Sequence, residues 1–148
     1  MEWNLSMYCI IDFVKIVILC EGKIRERWIR EGEREYLNRI GRFVNIEVKE
    51  VDKLGMLEDF DVIIALDVRG KEMGSLEFSK LMEKFYIRGE KVCFLVGGWK
   101  GLEKDIKMKA DLLLSLSKLT FPYQIARLIL LEQIYRAFTI IKGIDYHK

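Results

Sequence analysis

Three stretches of this chain have residue types that could build a small-molecule site: Leu66-Asp67-Val68-Arg69-Gly70-Lys71, Gly97-Gly98-Trp99-Lys100-Gly101 and Leu116-Ser117-Lys118-Leu119-Thr120-Phe121. Each follows an apolar run, and in α/β sheets ligands collect at the C-terminal ends of strands. Glycines placed there let a backbone approach a ligand closely, or they satisfy a turn with positive φ; both readings are open. Gly97-Gly98-x-x-Gly101 has neither the spacing of G-x-G-x-x-G nor the Lys-Ser/Thr ending of a P-loop, which leaves a nicotinamide-dependent oxidoreductase without its fingerprint. Ser117 and Thr120 also have a plainer reading as turn and cap hydroxyls.

Other side chains with chemical potential are few. His147 is the only histidine and lies at the extreme C-terminus, where a lone histidine is ordinarily just exposed. Cys9, Cys20 and Cys93 are odd in number and lack metal-ligand spacing, which suits reduced cysteines in a cytoplasmic protein. No metal is expected. With 25 Lys and Arg against 23 Asp and Glu, the formal charge of +2 gives no general nucleic-acid signal, so any RNA surface must be a local patch.

The elements that must position these residues alternate. Val14–Cys20, Val62–Leu66 and Lys91–Val96 are short apolar runs that read as buried strands, and Asn45–Val51 alternates like a half-exposed edge strand. Helical spacing covers Lys23 to about Arg42, Ser75 (as cap) to about Tyr86, with Leu76, Phe78, Leu81, Met82 and Phe85 inward, and roughly Glu103–Ala110. In the first of these, basic residues interleave with Glu26, Glu31, Glu33 and Glu35, the pattern of a solvated face. Strands alternating with helices imply one α/β domain, residues 14–148, with a mainly parallel sheet; residues 1–13 form an N-terminal extension. That start lacks a cationic leader and a cleavage site, and no run approaches a membrane span.

The last third of the chain is the most informative. Thr120 can cap, and Pro122 can begin, a long helix that Gly143 stops. Its apolar residues cover most of the circumference and leave a narrow polar stripe around Glu132, Gln133, Arg136 and Thr139. A surface helix needs only one apolar face, so this one is either a central core helix or is buried against a second copy of the chain; a homodimer is the expectation.

Ser115–Pro122, Ala126–Phe138 and the closing Tyr146-His147-Lys148 resemble the C-terminal signature of the RlmH family, SPOUT methyltransferases that modify large-subunit ribosomal RNA. Leu66–Lys71 and Phe94–Leu102 resemble further motifs of that family, in the same order. The resemblance implies an α/β SPOUT fold with a parallel sheet core and a C-terminal trefoil knot that binds S-adenosylmethionine. It implies methylation of N3 of a pseudouridine in the assembled ribosome by a cytoplasmic homodimer.

Carried over by position, the cofactor-binding residues would be Leu66, Gly97, Gly98, Leu116, Ser117, Lys118, Leu119, Thr120 and Phe121. Leu66, Leu116 and Leu119 would wall an adenine slot, while backbone groups read its edge. The resemblance gives His147, Tyr146 and Arg136 a catalytic assignment, His147 orienting the base or assisting departure of its imide proton. Arg127, Lys142 and Lys148 would meet RNA phosphate; Arg136 has an alternative as an ion pair with Glu132. The chain departs from the family pattern at Tyr123, at Trp99-Lys100 and at Lys148. Those departures motivate an alternative, a non-catalytic ribosome-binding or dimerisation module of the same fold.

Overall fold

The computed structural model of the chain describes residues 15–55 and 57–148, so the expected extension over 1–13, and Cys9 with it, lies outside the described residues. Five strands, β1 (Lys15–Glu21), β2 (Asn45–Val51), β3 (Val62–Glu72), β4 (Val92–Val96) and β5 (Leu112–Ser115), form a parallel sheet in the order β2-β1-β4-β3-β5. Helices α1 (Arg27–Ile40), α2 (Ser75–Arg88), α3 (Lys104–Met108) and α4 (Tyr123–Ile141) cover it.

A parallel sheet must be covered on both faces, and the apolar strand residues divide accordingly. Ile16, Ile18, Ile64, Phe94 and Leu114 pack in one layer with Phe78 and Met82 of α2 and Leu130, Ile134 and Phe138 of α4. Ile63, Ala65, Cys93 and Leu95 face the opposite layer, with Leu54 and Leu57 of the β2–β3 connection and Leu102 and Ile106 around α3. The β1–β2 and β3–β4 connections step one way along the sheet and lie on the first face; the other two step the opposite way and lie on the second. A constant crossover hand demands that alternation.

Several local expectations change. β3 does not stop at Leu66: it continues to Glu72 across a register shift, pairing with Leu114 at Leu66 and again at Lys71. The intervening Gly70 is there because a Cβ would sit 2.6 Å from the Leu113 carbonyl carbon. Ser75 is the first residue of α2 rather than its cap; Gly74 takes the cap position, and the Ser75 hydroxyl donates to Gln133 Oε1 at 2.7 Å. Leu76, expected inward, is exposed, and Ser79 is buried in that helix instead. Thr120 does not cap α4, since the helix begins at Tyr123 with Pro122 in the cap position and no side-chain cap bond. Gly143 does end it, at φ 69°.

Helix α4 lies against the sheet between α1 and α2, and none of its residues is fully exposed. Gly32 of α1 permits close approach, a Cβ there meeting Leu128 Cδ1 at 3.2 Å. The partly exposed side of α4 carries Ile125, Ile129, Glu132, Gln133, Arg136 and Ile140. Thr139, expected on the polar stripe, is fully buried and donates its hydroxyl to the Arg136 carbonyl at 2.6 Å. Cys20 and Cys93 are free and buried, and burial pushes both thiols up to about 12.

The largest correction concerns Arg127, expected at an RNA surface. It is 1 % exposed. Its Nη2 donates to both carboxylate oxygens of Glu33, at 3.0 and 2.8 Å, and its Nη1 to Glu50 Oε2 at 2.7 Å. Its charge is therefore consumed inside the fold, joining α4 to α1 and to β2. Burial raises the Glu33 carboxyl, while Arg127 pulls it the other way. Burial acts upward on Glu50 too, but Arg127, the Ile24 N–H and Arg30 outweigh it, and that carboxyl is held below its ordinary value.

Removing one member of a buried ion pair strands the others. Arg127→Met is expected to cost about 3–5 kcal/mol in urea unfolding, with part recovered when Glu33→Leu is added. A loss below about 1 kcal/mol, the range of a surface pair, would show the network to be dispensable. Glu50 has a depressed folded pKa, so its stabilisation is present above the unfolded value of about 4.3 and is lost as pH falls through the lowered folded value. Unfolding free energies measured from pH 6 downward should therefore fall less steeply for Glu50→Gln than for the native chain; equal slopes would contradict the assignment.

Candidate functional site

Beyond the C-terminal ends of β4 and β5, beside the register shift within β3, a cleft of ≈ 460 Å³ opens. Its wall includes Leu66, Gly97, Gly98, Leu116, Ser117, Leu119 and Phe121, so the three stretches meet in space. Lys118 and Thr120, both exposed, are not among the lining residues. Asp67, Arg69, Lys107, Tyr123 and Ala126 also reach the cleft. Lys107 had no sequence signal, because α3 reads only as a Lys-rich helix until its packing is known.

The polar groups of the cleft have distinct tasks. Ser117 Oγ accepts from the Leu119 N–H at 3.0 Å, and Ser115 Oγ donates to the Ser117 carbonyl at 2.9 Å. These hydroxyls hold the β5–α4 loop in shape, the plainer of the two readings for Ser117. Asp67 accepts from the Arg69 N–H at 3.1 Å and pairs with Lys107 Nζ at 3.2 Å. Burial acts to raise the Asp67 carboxyl, yet these partners outweigh it and keep it below its usual range, ionised at neutral pH.

Glycines make the floor. The Gly101 N–H donates to the Gly98 carbonyl at 2.9 Å, closing a tight turn after β4, and Gly101 has φ 75°. A Cβ on Gly97 would lie 2.6 Å from the Gly101 carbonyl carbon. The turn reading of the glycines holds at Gly101, which has positive φ, while Gly97 and Gly98 let backbone approach backbone beside the cleft. Across the opening, Tyr123 donates its hydroxyl to the Lys23 carbonyl at 3.0 Å, and Gln124 Oε1 accepts from the Arg25 N–H at 2.8 Å. The first turn of α4 is thus tied to the β1–α1 loop.

The structure gathers Arg136, Tyr146 and His147 at the other end of α4. Arg136 donates to Glu132 Oε1 through Nε at 2.9 Å and Nη2 at 2.6 Å, and its Nη1 lies 3.0 Å from His147 Nδ1. The Arg136–Glu132 ion pair exists, and Arg136 touches His147 as well. The Tyr146 hydroxyl donates to the same Glu132 oxygen at 3.2 Å, and its ring packs edge-on to Tyr135 with Arg136 above it. Burial, then Tyr36 and Glu132, push the Tyr146 phenol up to about 12, so it is a neutral donor. A guanidinium only donates, so His147 Nδ1 accepts and a neutral His147 carries its proton on Nε2. Glu132, read from the sequence as a stripe residue and as the alternative ion-pair partner of Arg136, is the hub. Lys142 and Lys148 are exposed; Lys142 lies over the Tyr86 ring.

Comparison with known proteins bears on this arrangement. A profile of the family described as "Predicted SPOUT methyltransferase" matches residues 14–147. The chain belongs to the SPOUT methyltransferase family. It is 39 % identical over 153 residues to "Ribosomal RNA large subunit methyltransferase H" of Caldicellulosiruptor saccharolyticus, covering 90 % of this chain and 99 % of that protein. The proteins of the same name from Acetivibrio thermocellus and Prochlorococcus marinus are each 40 % identical, over 159 and 134 residues, covering 91 % and 90 % of the chain and 100 % and 96 % of those proteins. The resemblance to RlmH proteins thus extends over nearly the whole SPOUT chain. The fold also matches the solved structure of "a probable methylase family protein" from Haemophilus influenzae, with a TM-score of 0.61 at 10 % identity, over 92 % of this chain and 70 % of that one.

Gly97→Ala must push two backbone segments apart. An expected loss of about 1–3 kcal/mol in urea unfolding follows from such overpacking; native stability in that variant would mean that the turn after β4 yields freely.

Proposed function

We propose that this chain transfers a methyl group from S-adenosylmethionine to N3 of a pseudouridine in large-subunit ribosomal RNA, acting as a homodimer on the assembled ribosome in the cytoplasm. The observation that carries the reading is the convergence of the three RlmH-like stretches on one cleft. Its volume lies within the roughly 300–1,000 Å³ of small-molecule sites. Its residues suit the cofactor: Leu66, Leu116 and Leu119 offer apolar walls for a purine, Gly97 and Gly98 bare the backbone, and Asp67 holds negative charge for hydroxyl or cationic groups. The cofactor would supply an electrophilic methyl on a sulfonium, displaced in line. The protein's work is then placement.

His147 is proposed to orient the base: Nε2–H donates to a carbonyl of the target while Arg136 fixes the ring through Nδ1. Arg136 holds positive charge where the base becomes anionic as its imide proton passes to solvent water, both ring nitrogens of His147 being engaged. Lys142 and Lys148 are proposed phosphate contacts. None of Arg136, Tyr146 and His147 lines the cleft. Ala126, which does, precedes Arg136 by ten residues of α4, or about 15 Å of helix rise. That separation supports the homodimer, in which the C-terminal groups of one copy serve the cleft of the other. The partly exposed side of α4, with Ile125, Ile129 and Ile140, is the surface proposed for that contact.

Two measurements test the reading. Calorimetry should show saturable binding of S-adenosylmethionine, and ribosomes lacking the modification should accept labelled methyl groups. Absence of transfer despite donor binding would favour the non-catalytic module. His147→Ala and Arg136→Gln are each expected to lower turnover by about 100-fold without weakening the donor, because both are assigned to the RNA base and neither to the donor; loss of donor binding would contradict the roles assigned.

A further inference from the structure

A second cleft, of ≈ 480 Å³, adjoins the first, and Gly98, Gly101 and Tyr123 line both. Between them stands the turn after β4, whose two central residues are Trp99 and Lys100. Trp99 is 81 % exposed. Neither hydrophobic layer uses it. Yet the turn that carries it is rigid: the Gly101 N–H to Gly98 carbonyl bond closes it, the Gly97 and Gly101 backbones abut, and a Cβ on Gly98 would meet the Glu21 carbonyl oxygen at 3.0 Å. A large aromatic held out to solvent on a stiff support is preorganised for a flat partner.

Its surroundings indicate which flat partner. Lys100 Nζ lies over the indole ring at 5.1 Å from its centroid. Lys23 and Arg25 reach the same cleft, and like Lys100 they enter no ion pair among the described residues. Glu21 and Asp52 also line it, so the cleft has three cations against two carboxylates rather than a uniform field. Sequence-tolerant recognition of an unpaired nucleotide uses this combination, a stacking face with cations at the flanks for phosphate.

We infer that Trp99 is a stacking platform for an unpaired RNA base flanking the nucleotide to be methylated, with Lys100, Lys23 and Arg25 holding the adjoining phosphates. The platform lies on the shared rim of the two clefts, so a base stacked there sets its neighbour at the mouth of the proposed methyl-donor site. This rests on the functional reading above and extends it to the side chains that seat the RNA.

The test uses the full chain, ribosomes lacking the modification, and labelled S-adenosylmethionine, with steady-state rates at one fixed salt concentration for the Trp99 variants and over a salt series for Lys100→Gln. For Trp99→Ala the ribosome KM should rise by about 5- to 150-fold, the range for losing one base–aromatic stack. Trp99→Phe, which keeps a π face, should restore most of it, and Lys100→Gln should reduce the salt dependence of binding by about one charge. Calorimetric donor affinity and urea stability should match the native chain in all three variants. A native KM in Trp99→Ala, or equal impairment in Trp99→Phe, would overturn the platform while leaving the methyltransferase reading intact. Failure of the native chain to methylate the ribosomes would remove that reading, and the platform with it.

Discussion

The buried guanidinium of Arg127 is the interaction on which the rest of this structure depends. It lies within an apolar helix with no acidic residue three or four positions away, so its charge must be satisfied by other elements. Glu33 of α1 and Glu50 of β2 supply both carboxylates, and Glu50 also accepts from the Ile24 N–H at 2.9 Å. Arg30 bonds the Ile24 carbonyl at 3.1 Å and completes the link. One polar network therefore fixes α4, α1, the edge strand and the β1–α1 loop relative to one another. Hydrophobic packing alone would leave the rotation of α4 about its axis less defined, because apolar residues surround most of it.

That rotation matters because the two ends of α4 have different duties. Its first turn, through Tyr123 and Ala126, closes the cleft at the strand ends. Its last turns carry Arg136, against which the C-terminal Tyr146 and His147 fold back. A rigid helix keeps these groups apart within one chain, and the Arg127 network sets the direction in which each faces. Glu132 does a similar job at smaller scale, accepting bonds from Arg136, Gln133 and Tyr146 at once.

The glycines show how close packing replaces functional side chains. Gly70 lets β5 run against the kink in β3, and Gly97 lets the turn after β4 fold on itself. Each removes a Cβ that would collide with backbone. The cleft thus has a floor of main chain under apolar side-chain walls, with Asp67 and Lys107 as its ionic pair. Such a site suits chemistry that needs a positioned electrophile more than a reactive protein group.

By itself, the sequence determined the alternation of strands and helices, the parallel α/β class, the three stretches of the cleft and the family. Those are carried by local patterns: apolar runs such as Val92–Val96, helical spacing, and contiguous motifs. Only the tertiary structure decided the tasks of individual polar residues. Arg127 reads as a surface cation until Glu33 and Glu50, distant in sequence, are found around it. Thr120 and Ser75 read as caps until the helix ends are seen to be set by Pro122 and Gly74. β3 reads as ending at Leu66 because the charges after it hide a strand resumed against β5. For Arg127 and β3 the deciding energy belongs to a partner far along the chain, and local spacing carries no record of it.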